Sequence, residues 1–262
     1  MHLDVLDLRA FYYRTSLGRS AQRLLQEALR GLWPETQGLN VVGYGFAAPV
    51  LRPFLADARR VLPLMPSGQG VMAWPVGGPN LSVLVEETRW PVEAGSVDRL
   101  IVIHGLETCD SPAALMAEIW RVLAPGGRVA FIVPNRSGLW ARRDVTPFGH
   151  GRPYSLGQLE SLMRAHRFEP ERHAAALYAP PTHRRFWIQT SYVLERLGRR
   201  FEPRMMAGAL IAEATKQVYA RPPTGKVAVP GPLDVLEGLS LPFPEPARGH
   251  RQAGSARIGP AG

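Results

Sequence analysis

Five short apolar runs recur along the first half of the chain, at residues 39–42, 61–64, 81–85, 97–104 and 128–133. They are four to eight residues long and dominated by Val, Leu and Ile. They lack the strict polar alternation of strands that keep one face in water. Strands buried on both faces belong to parallel sheets, and parallel neighbours need a crossover, usually a helix. Helical patterns do fall between several of these runs. The alternation therefore predicts an α/β fold, a mostly parallel sheet covered on both sides. Such sheets bind ligands beyond the carboxyl ends of their strands, where the strand order reverses. A site is expected just after Val42, Leu64, Val85, His104 and Val133.

The helices can be placed by stripe and cap. Leu17, Ala21, Leu24, Leu25, Ala28, Leu29 and Leu32 recur three and four apart, which predicts a helix over 16–32 that stops before Pro34. A second helix is expected over 49–59, opened by Pro49. Ser111 and Pro112 supply a cap and a first-turn proline for a third, through Leu123, with Pro125-Gly126-Gly127 ending it. Ser155 and Gln158 form a capping box for a fourth, to about His166. Residues 168–178 read as a strand, 184–200 as helix, and 209–219 as either. Residues 66–80 are rich in glycine and proline and read as a loop or hairpin.

Composition narrows the class. The chain has 262 residues, 45% hydrophobic, enough for one sizeable core. Its only cysteine, Cys109, excludes an intrachain disulfide framework or a cysteine-rich zinc site, and no metal site is expected. No apolar run approaches the ~20 residues of a membrane span. The first residues hold Asp4 and Asp7 rather than a basic leader, so a cytoplasmic setting is expected. The net charge is +9, and 29 of the 31 basic residues are arginine. Residues 81–135 set four basic against seven acidic side chains, whereas residues 136–180 set seven against four. Residues 136–154 interleave Arg136, Arg142, Arg143 and Arg152 with Trp140, Phe148 and Tyr154. This is either an Arg-rich face for an anionic or nucleic-acid partner, or a loop packing its aromatics over the sheet edge.

Candidate site residues lie at the strand ends. Gly43 and Gly45 after the first strand serve a ligand-cradling turn or a plain strand-to-helix turn. Glu86 after the third strand can accept from an adenine amine, with Trp90 beside the ring, or stand in a charged loop. His104 and Glu107 end the fourth strand as base or as structural residues. Cys109 reads as a small packing residue.

Residues 81–135 resemble the class I S-adenosylmethionine-dependent methyltransferases, in particular the methyltransferase type 11 group. The carrying residues are Glu86, Trp90-Pro91, Gly95-Ser96-Val97-Asp98, Gly105-Leu106-Glu107-Thr108, and the Arg-Val-Leu-x-Pro-Gly-Gly element at 121–127. The resemblance extends more loosely over 36–180. It departs at the first motif, where Val41 replaces an acidic residue and Ala47 a third glycine. It departs again after the second strand, where the family's ribose-binding carboxylate is missing and no acid occurs until Glu86. Losing such a partner costs about 1.5–3 kcal/mol, or roughly one to two decades in affinity.

The resemblance implies a Rossmann-like sandwich over 36–220, with a C-terminal antiparallel strand pair and a helical insertion at about 182–200. An N-terminal helical segment (1–35) precedes it and a flexible tail (221–262) follows. It implies S-adenosyl-L-methionine as cofactor, held by Gly43, Gly45, Glu86, Trp90 and His104, and methyl transfer to an acceptor that no motif specifies. A side chain at Gly43 is then expected to block the ligand and spare the fold. The alternative is a methyltransferase-fold protein with weak or lost cofactor use, acting as a binding or regulatory partner of protein or RNA.

Overall fold

The computed structural model describes residues 3–182, 190–191, 193–198 and 206–217. The predicted tail at 221–262 and much of the predicted insertion lie outside these residues. Seven strands are present: β1 (Asn40–Gly45), β2 (Arg60–Pro66), β3 (Val83–Val85), β4 (Val97–Ile103), β5 (Leu123–Pro134), β6 (Phe168–Ala176) and β7 (Ala209–Lys216). They form one sheet in the order β3-β2-β1-β4-β5-β7-β6. The pairs from β3 to β5 are parallel, while β7 runs antiparallel to both β5 and β6. This is the expected α/β sandwich, with its antiparallel pair at one edge. Of the segment at 209–219, which sequence left open, Ala209–Lys216 is strand, because its residues are buried between β5 and β6.

Strand order reverses between β1 and β4, so the crevice that binds ligands in such sheets opens there. Side chains alternate between two cores. Val41, Ile101, Ile103, Ala130 and Ile132 face one, while Val42, Tyr44, Leu100, Val102, Val129 and Phe131 face the other. The first core is covered by α2 (Ser16–Leu32), whose stripe is buried as predicted, and by a short α3 (Ala48–Leu51). The second is covered by α4 (Pro112–Val122) and α5 (Leu156–Ala165), the latter with both bonds of the Ser155–Gln158 capping box. Each fully buried Leu or Ile contributes roughly 1.5–3 kcal/mol, so the two cores dominate stability.

Three local departures from the sequence reading have physical causes. The helix expected over 49–59 lasts one turn and becomes 3-10 at Arg52–Leu55, because Pro53 cannot donate to a continuing α-helix. Pro125-Gly126-Gly127 does not separate helix from strand; it lies within β5, where the register against β4 shifts between Val97 and Arg99. Gly126 has φ 72°, and a Cβ on Gly127 would come 2.9 Å from the Val97 carbonyl, so the pair makes a bulge that only glycine fits. Finally, two further turns precede α2: α1 (Val5–Arg9), capped by the Asp4 carboxylate on the Leu6 N–H at 2.7 Å, and a π-helical turn at Ala10–Arg14. Val5, Leu8, Phe11 and Tyr12 from these turns are buried in the first core.

At the opposite end of the sheet, the buried Glu213 of β7 accepts from Trp33 Nε1 (2.7 Å), Arg172 Nε (2.6 Å) and Arg128 (3.3 Å). Burial opposes the charge, but these partners outweigh it and hold the carboxyl below its usual range. The cluster fastens the end of α2 to the antiparallel edge.

Candidate functional site at the carboxyl ends of the strands

The β1 turn is built by its glycines. Gly45 has φ 82°, and a Cβ there would run into the Ile103 carbonyl and His104, so the turn brings Gly45 against the end of β4. Phe46 N–H then donates to the Ile103 carbonyl at 3.0 Å. Gly43 is close-packed in another direction: a Cβ would meet Ala47 and, at 2.7 Å, Leu51 Cδ1. The surface that this glycine leaves bare faces the protein's own helix. A side chain at Gly43 therefore strikes the fold itself, contrary to the sequence-based expectation.

The two bulky residues of the turn point to opposite cores, each onto another ring. Tyr44 stacks on Trp90, with centroids 4.7 Å apart and planes at 26°. Trp90 is held from behind: its N–H donates to Glu118 Oε1 (2.7 Å), and Arg121 grips that same carboxylate through Nε and a terminal nitrogen at 2.8 and 2.7 Å. Arg121 also donates to the carbonyls of Trp90 and Val92. Burial raises the Glu118 carboxyl, but Arg121 and the Trp90 N–H prevail and set it below its usual range. Glu86 stands apart from this group, exposed at the end of β3 and bridged to Arg89.

Phe46 stacks on Tyr12, with centroids 5.9 Å apart. Tyr12 comes from the π-helical turn, and its hydroxyl lies 2.7 Å from His104 Nε2. On the other side of the imidazole, Nδ1 is 3.2 Å from Glu107 Oε1. The contact falls outside hydrogen-bond geometry, so both Glu107 oxygens lack a donor among the described residues. The phenol and Nε2 share one hydrogen bond, with the donor set by the imidazole tautomer. Tyr12 and His104 are wholly buried and Glu107 nearly so. Burial first, and the Glu107 charge second, raise the Tyr12 phenol well above its ordinary pKa. His104 holds φ 52°, the left-handed region that a β-carbon disfavours, and Phe148 packs edge-on against its ring at 4.8 Å. Cys109 is pushed up to about 12, by burial above all, and carries no thiolate at neutral pH.

The end of β2 closes the remaining side. Met65 and Pro66, where a ribose carboxylate would stand, are buried. Gln69 is also buried; its side-chain amide donates to the His104 carbonyl, and its backbone carbonyl accepts from Val5 N at 2.8 Å. The ends of β1, β2 and β4 are thus bridged by Phe46, Gln69, His104 and, from the N-terminal turns, Tyr12. Sequence reasoning missed Tyr12, although Val5, Leu8, Phe11 and Tyr12 do lie on helical spacing.

The Arg-rich segment resolves into an inside and an outside. Trp140 and Phe148 are buried edge to face, 5.7 Å apart, while Arg136, Arg142, Arg143 and Arg152 are exposed. Trp140 and Phe148 are therefore not stacking platforms at the surface. Among the described residues no three His, Cys, Asp or Glu side chains cluster to hold a metal ion, and no helix is long and apolar enough to cross a membrane.

Residues 43–131 match the Methyltransferase domain family. Over those residues the chain is similar to that family. Its fold is shared with an S-adenosylmethionine-dependent methyltransferase of Thermotoga maritima (TM-score 0.53, 16% identity, covering 77% of this chain and 91% of that one). A second such enzyme, from Mesorhizobium loti, aligns with TM-score 0.51 and 16% identity over 72% and 96% of the two chains. The geranyl diphosphate C-methyltransferase of Streptomyces coelicolor, solved with S-adenosyl-L-homocysteine, gives 0.50 and 14% over 73% and 78%. These likenesses are of fold alone. A comparison with curated protein sequences finds no match.

Fitting S-adenosylmethionine to this site separates frame from volume. The frame fits: the reversal point of the sheet, a turn with Gly45 at positive φ, and the β4 end beside it. The volume does not fit in this conformation. All residues from Val41 to Leu51 are buried, and the crevice over Gly45 is filled by Tyr12, Phe46, Gln69 and His104.

Proposed function

We propose that the chain is an S-adenosylmethionine-dependent methyltransferase whose cofactor site lies at the carboxyl ends of β1, β2 and β4. The observation that supports it is the coincidence of the family match over 43–131 with the reversal of strand order at the Gly43-Tyr44-Gly45 turn. In this reading the turn and the His104 end of β4 border the amino-acid portion of the ligand. Glu86, exposed next to β2's neighbour strand, accepts from the adenine amine, and Trp90 forms the apolar flank. The methyl acceptor is unassigned. Without a ribose carboxylate the site binds roughly ten- to a hundredfold more weakly than one that has it. Isothermal titration of the full chain with S-adenosylmethionine and S-adenosylhomocysteine tests this. Saturable binding in the high micromolar range is expected, and no heat at 10 mM of either ligand would overturn it.

A second reading, a methyltransferase-fold scaffold that binds protein or RNA without cofactor, has one observation in its favour. From Val61 to Val85 there is no carboxylate, and the Gln69 amide is already committed to the His104 carbonyl. The same titration separates the two.

A further inference from the structure

We propose that Tyr12 is an intramolecular gate: its ring occupies the crevice that the ligand must enter, and the Tyr12–His104–Glu107 array latches it shut. This rests on the cofactor reading above and deepens it, since it specifies what controls access to that site. Three observations converge. The Tyr12 ring lies over Phe46, the first residue past the glycine turn. Its hydroxyl engages Nε2 of the residue that ends β4, at 2.7 Å. The backbone of the same N-terminal segment is tied to the end of β2, where Val5 N–H donates to the Gln69 carbonyl and Val5 Cγ1 would lie 3.2 Å from a Cβ on Gly70. One short segment therefore touches all three strand ends around the reversal point.

The latch is built from groups that also pack in the core: Tyr12 on Phe46, and His104 against Phe148. His104 keeps a strained backbone with the buried Glu107 carboxyl beside it, and Glu107 has no hydrogen-bond donor among the described residues. A buried carboxyl without a hydrogen-bond donor is costly, so the shut arrangement carries a cost that opening would relieve. The covering segment is short, with five residues in α1 and five in the π-helical turn. Isolated helical turns of this length do not hold by themselves, so the segment's position depends on the side chains it inserts. Withdrawing Tyr12 frees the space above Phe46 and the Nε2 face of His104 together. Ligand affinity is then the intrinsic affinity multiplied by the fraction of molecules with Tyr12 withdrawn.

The test is calorimetric titration of S-adenosylhomocysteine into the full-length wild type, Tyr12→Ala and Tyr12→Phe, with circular dichroism and thermal melts to establish folding. Tyr12→Ala removes plug and latch and is expected to bind at least about tenfold more tightly than wild type. Tyr12→Phe keeps the ring and loses only the bond to His104; an improvement of about fivefold is expected, the worth of one buried hydrogen bond. If Tyr12→Ala fails to fold, the Tyr12→Phe result decides. Equal affinity in wild type and the folded variants overturns the gate while leaving the cofactor reading intact. No binding by any of the three at 10 mM overturns both.

Discussion

The two halves of the sheet share one frame, but their strand ends are packed differently. In the second half, from β4 through α4 to β5, the family-like residues make the framework. Arg121 and Glu118 clamp Trp90, and Pro125-Gly126-Gly127 makes the bulge that lets β5 pair with β4. In the first half, from β1 to β3, the frame is equally regular, yet the residues at its strand ends turn inward: Tyr44 onto Trp90, Phe46 onto Tyr12, Gln69 onto His104. The residues that resemble the family in the second half hold the architecture, whereas the first half departs from the family's pattern at Val41 and Ala47. A match to a family over residues that hold the architecture therefore speaks for the fold more strongly than for the chemistry.

Substitutions can break or sharpen this contrast. The largest effect belongs to Tyr12→Ala, which empties a ring from a close-packed core at the first-half strand ends. Denaturant unfolding is expected to show a loss of about 3–5 kcal/mol. A loss below about 1 kcal/mol would mean that the N-terminal turns do not cover the crevice in solution. Next comes Gly43→Val, expected to cost about 3 kcal/mol through overlap with Ala47 and Leu51; a fully stable variant would show that this glycine faces open space.

In the second half, Arg121→Ala leaves Glu118 with only the Trp90 N–H and is expected to cost about 2 kcal/mol, with affinity for S-adenosylhomocysteine nearly unchanged. This effect is pH-dependent in a defined direction. The folded Glu118 carboxyl titrates below its usual value, so the clamp's contribution is complete above about pH 5 and lost as pH falls through the folded value. The gap in stability between wild type and Arg121→Ala should thus be full at pH 7 and narrow towards pH 3. A gap that widens in acid would contradict the assignment. The smallest effect is that of Glu86→Gln. Exposed at the end of β3, it should leave stability within about 0.5 kcal/mol and weaken ligand binding about fivefold, the share of one hydrogen bond. Unaltered binding would move the adenine elsewhere.

The fold was legible because long-range order here follows local pattern. The five apolar runs are all strands of one sheet, and the stripe from Leu17 to Leu32 is the predicted helix. The Ser155–Gln158 capping box is present with both of its bonds. Boundaries failed where proline and glycine had more than one use: Pro53 breaks a helix that Pro49 starts, and Gly126 and Gly127 bulge a strand rather than precede it. The site was only half legible. Gly45 and His104, singled out from sequence, do lie against each other, because both fall at strand ends by the reversal point. Tyr12 was not found, since its partners His104 and Phe46 lie 92 and 34 residues away and the turn that carries it is only five residues long. That long-range pairing is what decides whether the frame is open or filled, and no local spacing encodes it.

The central claim, that the N-terminal turns and the ligand compete for one crevice, is most directly tested by amide hydrogen exchange of the wild-type chain with and without saturating S-adenosylhomocysteine. Exchange reports local opening segment by segment. If the ligand enters by displacing Tyr12, amides of residues 5–14 should exchange faster in its presence, while those of 43–46 and 102–105 slow. Faster exchange at one segment coupled to protection at the others is the result predicted. Protection that rises at residues 5–14 together with the strand ends, or no change at any of them, would contradict it.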